Sequence, residues 1–194
     1  MLAQGRFPHF SPAPARWLAA DGAEGKRQRF IECALVNTDR RIVEGLPVTP
    51  MFLFGVFLWG PVQERAAALR KSGDMSENQA LIDAGMQVTE EQISRVSLPR
   101  RFSVPMREML QLQPRFMRQQ GRRIGVLLQH RRFRAAYDLL MLRLELGEVT
   151  PELVDWWTKI QTLSPEEQQK EFGGQQQQRQ GSRRRRRRPA ASAS

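Results

Sequence analysis

REMLQLQPRFMRQQGRRI, residues 107–124, is the stretch on which the reading of the whole chain turns. Placed on a helix at 100° per residue and measured from Arg107, Arg118 falls near 20°, Arg122 near 60° and Arg115 near 80°, all about one side. Met109, Leu110, Phe116, Met117 and Ile124 fall between about 180° and 300°, which makes the opposite side apolar. The pattern predicts a helix that buries one face and presents a row of guanidinium groups on the other. Pro114 and Gly121 are costly inside a helix, so a kink or break is expected there.

Working outward, the charge balance of this neighbourhood is extreme. Residues 95–134 hold eleven Arg and one acid, Glu108. Residues 1–94 carry ten basic side chains against eleven acidic, and residues 135–161 two against five. The last 33 residues add eight against three, giving the chain its net charge of +11. Solvated faces usually mix both signs, so this concentration points to a polyanion partner. Arginine dominates over lysine, and its planar fork suits bidentate contact with phosphate. Phosphate contacts set affinity and salt dependence but carry little sequence information.

Upstream, residues 1–25 are rich in Pro, Gly and Ala without a sustained period, and read as an irregular segment whose native upstream element is missing. From Lys26, the spacing of Phe30, Ile31, Ala34, Leu35 and Ile42 predicts an amphipathic helix with those five on one side and Arg29, Asp39 and Arg40 on the other. Thr49–Pro50 supplies an N-cap and first-turn proline to the apolar run Met51–Trp59, and Gly60–Pro61 is expected to break or kink that helix. The polar continuation Val62–Ser72 ends at Gly73. Ser76 and Gln79 have the form of a capping box ahead of a helix carrying Leu81, Ala84, Val88 and Ile93 to about Val96. Downstream, Phe133, Ala136, Tyr137, Leu140 and Leu144 define a helix stopping near Gly147. Thr150–Pro151 opens another, with Leu153, Trp157 and Ile160 buried. No strand pattern competes, so the fold class is all-α: a single helical body of about seven helices over residues 26–161. After that, residues 162–194 form a Gln- and Arg-rich tail too poor in apolar residues to build a core, and expected to be disordered.

Several chemistries find no foothold. Cys33 is the single cysteine, and His9 and His130 are the two histidines, so neither a disulfide framework nor a metal site is expected. Met51–Trp59 is too short to span a bilayer, and Met1–Phe10 lacks the form of a signal peptide. Gly-rich phosphate loop, paired aspartates and G-x-S-x-G are all missing, so no catalytic residue is nominated. Glu90–Glu91 and Glu166–Glu167 make no evident metal site. His130, beside Arg131 and Arg132, reads as a phosphate contact or a cap. Phe52, Phe54, Phe57, Trp59 and Phe116 read as core, while base stacking is conceivable for Phe102 among its arginines.

A longer pattern carries a resemblance. Arg118-Gln119-Gln120-Gly121-Arg122-Arg123, Leu127-Leu128-Gln129-His130 and Phe133-Arg134-Ala135-Ala136-Tyr137-Asp138-Leu139-Leu140 occur in order. They are joined by Asn37-Thr38-Asp39-Arg40-Arg41-Ile42, Pro50-Met51-Phe52-Leu53-Phe54, Leu98-Pro99-Arg100-Arg101, Trp156-Trp157 and an Arg-rich end. Together these resemble the C-terminal part of the bacterial poly(A) polymerase I family, related to the tRNA CCA-adding enzymes, over roughly residues 28–161. Arg131 departs from the family pattern, which has proline there, and Pro114 falls within a helix expected to be regular.

The resemblance implies a helical body that handles RNA for template-independent AMP addition to 3′ ends. A nucleotidyltransferase head with metal-holding carboxylates, absent from this chain, would do the chemistry. ATP and magnesium are then expected only with that head, and no cofactor in this chain. The expected RNA contacts are Arg100, Arg101, Arg115, Arg118, Arg122, Arg123, Arg131, Arg132 and Arg134, continued by Arg183, Arg184, Arg185, Arg186, Arg187 and Arg188. Expected partners are single-stranded RNA 3′ ends and an upstream or separately encoded head, in the cytoplasm. Two rivals remain at this point: a stand-alone basic module for RNA or nucleoid, and an interaction protein whose basic surface meets an acidic protein or anionic lipid.

Overall fold

The computed structural model describes residues 12–22, 25–73, 75–95, 98–121, 123–168, 170 and 171. Among these there is no strand. Eight helices follow in order: α1 Pro12–Ala19, α2 Lys26–Val43, α3 Pro50–Ser72, α4 Glu77–Arg95, α5 Arg100–Phe116, α6 Arg123–Leu128, α7 Phe133–Leu146 and α8 Pro151–Thr162. A further helical turn covers residues 165–168.

The helix boundaries follow local chemistry. Thr49 and Thr150 precede Pro50 and Pro151, each in the first turn, where the missing N–H costs no helical bond. Thr150 Oγ1 accepts from Leu153 N at 3.4 Å, whereas the Thr49 side chain makes no capping bond. Ser76 Oγ accepts from Gln79 N at 3.3 Å, the forward half of the expected capping box. α7 ends on Gly147 at φ 70°, a left-handed cap that a side chain would strain.

Helices α3, α4 and α5 pack against one another, α2 pairs with α7, and α5 joins the two groups by packing on α7. The core holds Trp59, Phe30, Met106, Met109, Leu110, Phe116, Leu139, Leu140, Trp157 and Ile160, all essentially buried. Phe116 meets the Trp157 ring edge-on at 4.9 Å and lies 5.8 Å from Phe133. Trp157 Nε1 donates to Phe116 O at 2.8 Å, which satisfies a carbonyl that the end of α5 would leave without a partner. Each such ring removed from water contributes about 1.5–3 kcal/mol.

Three expectations are corrected and a fourth is located more closely. Residues 12–19 are helical rather than irregular: Pro12 and Pro14 occupy the tolerant first turn, and Trp17 is buried against Phe30. α3 runs through Gly60–Pro61 without a break, and Gly60 lets the Trp17 indole approach where a Cβ would overlap the ring. On α2, Phe30, Ile31 and Ala34 are buried, but Leu35 and Ile42 are exposed, because α7 covers a narrower arc than the apolar pattern implied. Within 107–124 the expected break is present on the Gly121 side: α5 stops at Phe116. Gly121 at φ 99° turns the chain, and α6 restarts at Arg123, whereas Pro114 is accommodated inside α5.

A buried polar cluster ties this scaffold together. Arg143 on α7 donates from Nε to Glu148 Oε2 at 2.9 Å and from Nη1 to Gln113 Oε1 at 3.2 Å. Its guanidinium lies 4.7 Å over the Trp59 ring, and Trp59 Nε1 and Gln63 Nε2 donate to the same carboxylate at 3.0 and 2.9 Å. Gln113 Nε2 completes the set by donating to Ala136 O at 2.8 Å. Burial pushes the Arg143 guanidinium below its ordinary pKa, and Glu148 opposes that shift.

Candidate nucleic-acid interface

α5 is the spine of the basic surface. Arg101, Glu108 and Arg115 stand seven residues apart, so on a helix they share one face within about 40° and span about 21 Å. Arg100, Arg107 and Gln111 lie beside them on the same side, by the same geometry. The other side buries Met106, Met109, Leu110 and Phe116. Arg100, Arg101 and Arg115 are exposed, and none has a carboxylate partner among the described residues. Arg101 lies 4.9 Å over the ring of half-buried Phe102, which stiffens its stem.

The turn between α6 and α7 brings two more arginines to this face. Glu108 Oε1 accepts from Arg131 Nη2, and Glu108 Oε2 accepts from Arg132 Nε at 3.1 Å. Burial opposes ionisation of Glu108, but the hydrogen bonds and charges of Arg131 and Arg132 outweigh it and hold the carboxyl below its usual range. His130 acts locally: its Nδ1 accepts from Arg132 N at 3.1 Å, a bond within the turn that precedes α7.

Arg118 lies in the loop after α5 and Arg123 opens α6, both exposed, so they do not form the helical row expected from the sequence. Arg134 points elsewhere, pairing with Asp138 at 3.0 Å and lying 5.7 Å over Tyr137. Burial raises the Asp138 pKa, against the pull of Arg134, Arg41 and Arg40. Arg122 and Arg183 through Arg188 lie outside the described residues.

Three features escaped the sequence reading. Arg101, Glu108 and Arg115 share one face of α5, and their seven-residue spacing was the available signal. Glu108 gathers two arginines across more than twenty residues of chain, which spacing alone does not reveal. Arg40 and Arg41, at the end of α2, share the field of Asp138 with Arg134 only because α2 pairs with α7.

No described group of three or more His, Cys, Asp or Glu could hold a metal ion, and no described helix is long and apolar enough to cross a membrane. Fold and surface together define an all-helical domain with arginines concentrated along one helix and its neighbouring turn. The chain matches the family model described as the polymerase A arginine-rich C-terminus over residues 73–191, and it belongs to that family as a C-terminal poly(A) polymerase portion.

Similar proteins carry the same name. Poly(A) polymerase I of Escherichia coli O6:H1 is 35% identical over 164 residues, which is 84% of this chain and 35% of that protein. The Salmonella typhi protein of that name is 34% identical over 164 residues, with the same coverage of each chain. That of Haemophilus influenzae is 30% identical over 165 residues, covering 84% of this chain and 36% of its own. The chain thus spans about a third of the length of these relatives.

Proposed function

We propose that this chain is the RNA-holding body of a poly(A) polymerase, keeping single-stranded 3′ ends in place for template-independent AMP addition in the cytoplasm. The observation that carries this reading is the outer face of α5, where Arg100, Arg101 and Arg115 stand exposed and without carboxylate partners among the described residues. A strand could lie along this face through its phosphates, held by many weak and sequence-tolerant contacts. The arginines of the tail would lengthen the path. In this reading the nucleotidyl transfer, with its ATP and magnesium, belongs to a head outside this chain, because no catalytic or metal-holding set is recognisable in its sequence.

Two measurements test the proposal. The purified chain should bind labelled single-stranded RNA, and excess acidic liposomes should compete poorly. Efficient displacement by liposomes would instead favour a lipid-facing surface. Incubated with ATP, magnesium and an RNA primer, the chain should not extend the primer. Tailing would place the chemistry in this chain and refute the division of labour.

A further inference from the structure

The single carboxylate among the eleven arginines of residues 95–134 is engaged by two of them. Arg131 uses Nη2 on Glu108 and Arg132 uses Nε, so each guanidinium keeps further N–H donors of its five. The side chain of Glu108 is 23% exposed, that of Arg132 30% and that of Arg131 67%, so the acid lies behind and the guanidiniums in front. An arginine that is already ordered loses less entropy when it closes on a ligand.

We propose that Arg131 and Arg132 form a receptor for a backbone phosphate at the α6–α7 turn, with Glu108 as the positioning residue that holds both forks ready. This rests on the RNA-binding reading above. It runs against the simplest electrostatic expectation, in which an acid on a basic face repels phosphate and its removal tightens binding. The two accounts differ in sign.

The test uses the full chain and a labelled single-stranded RNA of about 20 nucleotides, long enough to cover a typical binding site. Glu108→Gln should weaken binding about three- to ten-fold, the range expected of a coupled pair on such a surface. It should also make the dependence on salt shallower, because phosphate contacts are lost. Glu108→Asp, charged but shorter, should fall between wild type and Glu108→Gln. With Arg131 and Arg132 both changed to Ala, adding Glu108→Gln should change nothing further.

Melting temperatures confirm that the variants fold. If Glu108→Gln lowers its own, Glu108→Asp with and without the two arginines carries the comparison. Binding by Glu108→Gln as tight as wild type or tighter overturns the inference, as does a weakening that persists without the two arginines. Wild-type protein that fails to bind RNA at all sinks the underlying reading as well, so the two failures are told apart.

Discussion

Glu148→Gln should destabilise the fold more than Arg143→Met, although both remove the same ion pair. The reason is which charge is left behind. The Arg143 side chain is 7% exposed and that of Glu148 24%. Without Glu148, a guanidinium that cannot shed its proton stays buried, with Gln113 Oε1 and the Trp59 face as its remaining support. Breaking a buried pair in this way costs about 3–5 kcal/mol. Without Arg143, Glu148 keeps the Trp59 and Gln63 donors and some water, and the main loss is a hydrogen bond to Gln113. That loss costs about 1–3 kcal/mol. Urea unfolding followed by helical circular dichroism gives both values, with equal slopes showing that the unfolded states are comparable. A larger cost for Arg143→Met, or less than about 1 kcal/mol for either variant, would refute the view that charge burial governs this cluster.

Two further outcomes follow from local chemistry. Thr150→Ala should cost about 1 kcal/mol, because its hydroxyl caps α8, and Thr49→Ala much less, because its hydroxyl caps nothing; paired thermal melts decide it. Glu108 is held below its ordinary pKa of 4.5, so its stabilising contribution is present above that value and lost as pH falls through the folded one. Asp138 is held above 3.8 and works in the opposite direction, favouring the folded state as pH falls. Urea midpoints below about pH 5 should therefore fall less steeply for Glu108→Gln and more steeply for Asp138→Asn than for wild type. Parallel acid limbs in all three proteins would contradict both assignments.

The parts of this fold legible in the sequence were those set by neighbours a few residues away. Pro50, Pro151, Ser76 and Gly147 mark helix ends by rules that act within one turn, and the structure places ends at each. Long-range contacts decided what was misread. Gly60–Pro61 has the signature of a break, yet α3 continues because Trp17 packs on Gly60 from more than forty residues away. Leu35 and Ile42 carry helix-core spacing, but only the arc of α2 that faces α7 and α3 is covered. For the candidate site, the charge run marked a region and Gly121 marked a break in it, but an angle carried across that break has no meaning where the structure has α5, a loop and α6. The face that results is a different one, built on Arg101 and Arg115 and completed by Arg131 and Arg132. The role of Glu108 could not be read from composition, which shows an isolated acid but not what it reaches.

The measurement closest to the central claim compares salt dependence of single-stranded RNA binding for wild type and for the full chain carrying Arg101→Ala and Arg115→Ala. Wild type should lose affinity steeply as salt rises, and the double variant should bind less tightly with a slope smaller by about 1.4, or about 0.7 per phosphate contact removed. An unchanged slope and affinity in the double variant would show that the outer face of α5 does not hold RNA.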